Sequence, residues 1–405
     1  MELRPHQQRA LNALSTHTHG QVIAPTGAGK TLIMIFDALR RIENATTPQT
    51  IVVCAPRILL AEQLCSEFME FIDCANVLHV HSGETRYKST TKASVIQEWD
   101  EIVDNHKIIF TTYNSLRRVN ESEIDISVAY FDEAHNGVRK DFFDYVSVCD
   151  ADNYYYFTAT PKHRRNGNGM NNRIIFGDII ANVPAPELVQ QGSILRPTID
   201  IHEVDIERCK SNAAENDAQT LIDMIDRLDA SNAQKVLVAA PSTKVLWNML
   251  STTQVLTDLS QRGYDVMHIT SKHGAYVNQQ KVTRDEFFQT LNRWGMQRDR
   301  KFIIFHYSIL SEGINVSGLT HTILLRNLPV IEMAQTIGRV IRLNKEDSAD
   351  IQSGKIPAGN FSMYRKSTGF VTVPVFKNYG KNTRQRLNEV VSTIFDKGEP
   401  AIDIK

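Results

Sequence analysis

Short apolar runs rich in β-branched and aromatic residues alternate with stretches whose apolar positions recur every three or four residues. That alternation predicts parallel α/β sheets. In the first half the expected strands are QVIAP (21–25), TIVVCAP (50–56), KIIFTTY (107–113), VAYFDE (128–133) and YYYFTAT (154–160). Helices are expected across 30–42 and 58–71, the second with Leu60, Leu64, Phe68 and Phe71 on one face. The pattern restarts with KVLVAAP (235–241), YDVMHIT (264–270), KFIIFHYS (301–308) and HTILLRN (321–327). The segment 183–197, with Pro184, Pro186 and Pro197, marks a crossing between two domains, and GFVTVPVF (369–376) with a helix over 382–396 closes the chain. The expected divisions are residues 1–190, 191–345 and a basic extension, 346–405, completing or packing on the second domain. Near its end QTIGRVIR (335–342) sets Gln335, Arg339 and Arg342 on one face of a short helix. Taken alone, such a pair of arginines is an ordinary solvated helix face.

Composition changes this picture only in places. No apolar run is long enough to span a membrane and no secretory signal pattern opens the chain, so a cytoplasmic protein is expected. Five scattered cysteines without a CxxC pair argue against a zinc site or a disulfide framework. The net charge of −1 hides an asymmetry. Residues 1–196 carry 19 Lys and Arg against 23 Asp and Glu, whereas 197–405 carry 26 against 23. Residues 351–386 hold seven cations and no acid, which permits nucleic-acid binding without establishing it.

Chemistry enters with APTGAGKT (24–31), set between an expected strand and an expected helix. Gly27 and Gly29 let successive backbone N–H groups turn toward phosphate oxygens, with Pro25, Thr26 and Ala28 shaping the loop. Lys30 is placed to reach the outer phosphates and the Thr31 hydroxyl to ligate Mg²⁺. Ala24 stands where the usual pattern has its first glycine. VAYFDEAH (128–135) supplies the complement: Asp132 to hold Mg²⁺ and Glu133 to orient and deprotonate an attacking water. Either half alone has a bland explanation, as a glycine-rich turn or a solvated strand end. Together they predict a nucleoside-triphosphate site.

At these residues the chain resembles the superfamily 2 DExH/DEAH-box helicases and translocases. The likeness is ordered and runs from about residue 3 to 342. LRPHQQRAL (3–11) resembles the N-terminal nucleotide motif, with Gln7 as adenine reader and Arg4 beside it. CAPRILLAEQ (54–63), TTYNSL (111–116), TAT (158–160), VAAPSTK (238–244) and SILSEGINV (308–316) are similar to the motifs that follow in order. The resemblance implies two tandem RecA-like domains with ATP in the cleft between them. It also implies that Gln335, Arg339 and Arg342 act on the phosphates as arginine fingers do. By the same carry-over Gly313 and Asn315 link the nucleic-acid surface to the nucleotide, and His135, Thr158 and Thr160 transmit its state. Arg57, Thr111, Thr112, Ser242 and Thr243 would touch the nucleic-acid backbone. Taken singly, each of those hydroxyls is equally an ordinary turn or cap residue.

Two stretches stand outside the shared motifs. PKHRRNGNGMNNR (161–173), with Arg164 and Arg165, suits either a mobile DNA-contacting, strand-separating loop or a solvated one. In 351–386, Arg365 and Lys366 lie among Phe361, Tyr364, Phe370, Phe376 and Tyr379, a combination that suits single-strand binding. Yet Val371, Val373 and Val375 alternate as a packed strand face, and Pro374 points to a sheet edge. The expectation is an ATP- and Mg²⁺-dependent DNA motor, monomeric or with a partner subunit, in the manner of UvsW-type phage branch-migration helicases or the RecG group. An RNA helicase, a restriction or repair motor subunit, and a non-catalytic nucleic-acid clamp are the alternatives.

Overall fold

A computed structural model describes residues 3–228, 233–270, 272–307 and 318–404. The chain divides into two compact units, Met1–Pro184 with Pro400–Lys405, and Ala185–Glu399. Each is a RecA-like α/β layer structure.

The first unit contains β1 (His19–Ile23), β2 (Thr50–Ala55), β3 (Asn76–Val80), β4 (Ser89–Thr90), β5 (Lys107–Thr112), β6 (Val128–Phe131), β7 (Tyr154–Thr158), β8 (Lys162–His163) and β9 (Ile179–Asn182). Eight of them form an all-parallel sheet in the order β4-β3-β5-β2-β6-β7-β1-β9. Every residue of β2 is buried, as helices on both faces require. Ile51, Val53 and Ala55 join one core with Leu60, Leu64 and Phe68, while Val52 and Cys54 join the core on the opposite face. The sheet order brings the C-terminal ends of β1, β6 and β7 side by side, where such sheets bind ligands.

The second unit contains β10 (Pro197–Val204), β11 (Lys235–Ala239), β12 (Asp265–Thr270), β13 (Gly274–Val277), β14 (Gln280–Val282), β15 (Phe302–His306), β16 (His321–Leu324) and β17 (Gly369–Phe376). Their order is β10-β17-β16-β11-β15-β12-β13-β14, parallel except for the β12–β13–β14 meander. A last strand, β18 (Asp403–Ile404), pairs with β8 in the first unit. Among the described residues no helix is long and apolar enough to cross a membrane.

One expectation is overturned here. β17 carries Pro374 yet lies inside the sheet, between β10 and β16. The register explains how. The N–H of Phe370 points toward β16, bonding the Thr320 carbonyl at 3.0 Å, so the nitrogens of Thr372 and Pro374 face that side too. Pairing with β16 ends at Thr372. The missing donor therefore falls just past the end of the ladder, where it costs no strand pairing.

Candidate nucleotide and nucleic-acid sites

After β1 the chain turns through Gly27 (φ 91°) and Gly29 (φ 78°) into the helix Lys30–Asn44. Among the described residues no side chain caps that helix, which leaves its first amides to an anionic ligand. Gly29 is fixed twice over: its φ is left-handed, and a Cβ there would lie 2.2 Å from the Gln7 amide nitrogen. The loop rests on the start of the helix Pro5–Thr16. His6 Nε2 lies 2.9 Å from the Ala28 carbonyl, and Gln7 Nε2 donates to the same oxygen at 3.2 Å. Gln7 Oε1 accepts from the Arg4 N–H at 2.9 Å, so this buried amide braces the phosphate loop with both its polar atoms. Lys30 Nζ donates to the Ala24 carbonyl at 3.3 Å.

β6 delivers Asp132 and Glu133 to the same end of the sheet, both buried. Asp132 is held through its backbone: its N–H bonds the Cys54 carbonyl at 2.8 Å, and its carbonyl accepts from Tyr113 Oη at 2.9 Å. Burial, and then the neighbouring Glu133 charge, push its carboxyl up to about 7, against the pull of the Lys30 ammonium. A buried carboxylate so placed gains from a cation. Glu133 sits at φ 47°, an uncommon left-handed conformation for a residue with a side chain. Among the described residues its Oε2 makes no hydrogen bond, and it lies 3.4 Å from His135 Nδ1. His135 Nδ1 is 3.0 Å from Thr158 Oγ1, which accepts from the Thr160 N–H at 3.2 Å. The DEAH and TAT segments are thus joined by one hydrogen-bonded path. Lys30, Thr31, Asp132 and Glu133 together fit a triphosphate with a divalent cation.

In the second unit the helix Val330–Val340 carries Gln335 and Arg339, both buried. Among the described residues neither amide atom of Gln335 has a hydrogen-bond partner. His306, at the end of β15, is likewise buried with both ring nitrogens unbonded. Burial and the charges of Arg339 and Arg326 press its pKa down to about 3. Arg342 corrects the expected common face. The helix stops at Val340, and Arg342 instead forms an isolated bridge with Ile194. Gly313 and Asn315 lie outside the described residues.

The expected nucleic-acid contacts divide sharply. Arg57 is exposed at the start of the helix Ile58–Met69. Ser242 caps the helix Thr243–Thr252, accepting from the Val245 N–H at 3.1 Å, with half-buried Thr243 beside it. Thr111 is wholly buried and donates to the Val80 carbonyl at 3.0 Å, and buried Thr112 accepts from the Ser115 N–H at 3.3 Å. Both hydroxyls are engaged by the protein's own backbone. The 161–173 loop is folded on itself: Asn171 bonds the Arg164 N–H and carbonyl at 3.0 and 3.1 Å, and Met170 is buried. Within it Arg164 is half-buried and Arg165 exposed.

Arg365 and Lys366 are already engaged by the protein itself. Arg365 is paired with Glu346, Asp347 and Asp350 at 3.0, 3.1 and 2.8 Å. Lys366 Nζ donates to the Leu319 and Arg342 carbonyls at 2.6 and 2.8 Å. The rings beside them are also engaged. Phe370 stacks on His321 at 4.8 Å, and Tyr364 and Phe376 are buried. His6 and His306 were invisible to motif reading, although His6 adjoins Gln7 in LRPHQ.

Two family models match the chain. One is described as type III restriction enzyme, res subunit, over residues 1–163, and the other as helicase conserved C-terminal domain, over 217–344. No curated protein matches. Among solved structures, the Type ISP restriction-modification enzyme LlaBIII bound to DNA aligns with a TM-score of 0.71 at 15% identity. That alignment covers 100% of this chain and 31% of LlaBIII. LlaGI, a second Type ISP enzyme in complex with a DNA substrate mimic, gives 0.59 at 15%, covering 99% of this chain and 30% of its own. S. cerevisiae Dbp5 bound to RNA and ADP BeF3 gives 0.57 at 16%, covering 99% and 89%. This chain therefore spans under a third of the Type ISP enzymes, and these structures speak to its fold. Two helicase-type domain models in tandem, the first over the candidate lysine–carboxylate phosphate site, make this chain similar to the superfamily 2 helicases.

Proposed function

We propose that the chain is a DNA-stimulated motor that couples ATP hydrolysis to translocation on, or remodelling of, branched and duplex DNA. The observation that carries the reading is the convergence of the uncapped Gly27–Thr31 turn with Asp132 and Glu133 at one sheet end, joined through His135 to Thr158. The backbone amides of the turn and Lys30 bind the phosphates. Thr31 and Asp132 hold Mg²⁺, which supplies charge neutralisation there. Glu133, with one oxygen unbonded among the described residues, orients water and takes its proton. Gln335, Arg339 and Arg342 serve the same hydrolysis from the second unit. Arg339→Ala is then expected to keep ATP affinity and lose turnover by about 10³-fold or more, read by nucleotide binding and steady-state ATPase side by side.

The restriction-type family model and the DNA-bound Type ISP structures support DNA over RNA. They also favour a second reading, the motor portion of a restriction or repair system whose cleavage resides elsewhere. ATPase activity is measured without nucleic acid, then with single-stranded, duplex, forked and four-way-junction DNA and with RNA. Glu133→Gln should lower turnover by about 10²–10⁴-fold while still binding ATP. Stimulation greatest on forks or junctions supports a remodelling motor, and greatest on plain duplex a restriction-type translocase. Stimulation by RNA alone overturns the DNA assignment.

A further inference from the structure

A layer of rings on the second unit belongs to none of the motifs. Trp247, in the helix Thr243–Thr252, lies parallel to His273 with centroids 4.2 Å apart and planes at 10°. His268 lies parallel to Tyr276 at 4.5 Å and 13°, and Trp247 meets these two rings at 6.3 and 6.2 Å. His268 is the buried floor, while Trp247, His273 and Tyr276 are half-exposed. Of the three tryptophans, Trp99 and Trp294 are buried and Trp247 alone reaches solvent.

Charge surrounds the layer. Lys244 lies three residues before Trp247, Lys272 adjoins His273, and Lys281 Cε passes 3.6 Å from the Cβ position of Gly274. All three lysines are exposed, and none takes part in an ion pair among the described residues. Residues 242–257 and 266–284 contain no acid. The contrast with 351–386 is physical. There Lys355, Arg365, Lys377 and Arg384 are paired with carboxylates and Tyr364 and Phe376 are buried; here the lysines have no ion pair among the described residues and the rings are half-exposed. Ser242 and Thr243 begin the same helix.

We propose that the Trp247–His273–Tyr276 layer, ringed by Lys244, Lys272 and Lys281, binds an unpaired base and the adjoining phosphates of a single nucleic-acid strand. The proposal rests on the motor reading above and adds a site to it. A ring face accepts any base and a lysine any phosphate, so the site is sequence-tolerant, as a translocating motor needs. The competing explanation is that the stack only pins the β13–β14 hairpin to the helix.

The test titrates oligothymidylate and oligouridylate against tryptophan emission and fluorescence anisotropy. A base stacked on Trp247 should quench emission, and Trp247→Phe should remove that quench while affinity stays within about threefold. His273→Ala should weaken binding by about tenfold. The triple variant Lys244→Ala, Lys272→Ala, Lys281→Ala should reduce the slope of log affinity against log salt by about 2. Circular dichroism confirms the fold of each variant. Quenching by either strand supports the site and shows whether DNA or RNA supplies the base. Undiminished quenching in Trp247→Phe, or unaltered affinity and salt slope in the natively folded alanine variants, overturns the platform and leaves the motor intact. A wild-type protein that binds neither strand and hydrolyses ATP indifferently to nucleic acid overturns the motor reading, and the platform with it.

Discussion

Lys366, half-buried, donates its ammonium to two backbone carbonyls, one of them Arg342 in the QTIGRVIR segment. Burial, reinforced by the Arg342 charge, draws its pKa from 10.5 down to about 7. Between those values the unfolded chain binds a proton that the folded chain does not, so stability rises with pH across that window. The slope contributed is at most about 1.4 kcal/mol per pH unit. Urea unfolding at pH 7, 8 and 9 should show it, and Lys366→Met should flatten it. An unchanged pH dependence in that variant would place the titration elsewhere. Nothing in the sequence announces this role. Lys366 sits in an acid-free window whose balancing carboxylates, Glu346, Asp347 and Asp350, end one residue before the window opens. The candidate phosphate-loop residues differ for the opposite reason: their spacing along the chain is itself the geometry of a strand–loop–helix turn.

At the scale of elements, legibility followed burial. β2, β5 and β11, covered on both faces, read as continuous apolar runs and stand where the sequence places them. β10 alternates polar and apolar residues on a half-exposed edge and went unread, and β1 ends two residues earlier than expected because Ala24 and Pro25 already belong to the loop. Tertiary context also decided β17, whose proline was a correct local signal with a wrong global meaning. The first residue of β17, Gly369, touches the motif helix directly, since a Cβ there would lie 2.2 Å from the Val340 carbonyl. Gly369→Ala must displace either β17 or the end of the helix that carries Arg339. The expected cost is about 1–3 kcal/mol in unfolding free energy, with ATP turnover reduced more than ATP binding. Wild-type stability and kinetics in that variant would show that the contact yields freely.

Across the whole molecule, charge is distributed to be consumed locally. Within 351–386, Lys355 pairs with Asp350, Lys377 with Asp205 and Arg384 with Glu203, at 3.2, 3.0 and 2.9 Å. Counting cations along the sequence overstated what this region offers a polyanion, because acids close in space lie outside the window counted. Arg365→Ala is accordingly expected to leave the affinity for oligothymidylate and its salt slope unchanged while lowering the melting temperature of the protein. A flattened salt slope would return Arg365 to the nucleic-acid surface.

The interior position of β17 also sets a schedule. A ribosome releases β10 at residue 197, but the strand it pairs with begins at residue 369. At about 5–20 residues per second, roughly ten to thirty seconds of synthesis separate them. Throughout that interval β10 has no neighbour, because β17 is the strand beside it in the sheet. A nascent chain stalled before residue 369 would already hold every nucleotide and motor motif. It would still present an unpaired strand edge to the cell, a natural target for chaperones and proteases.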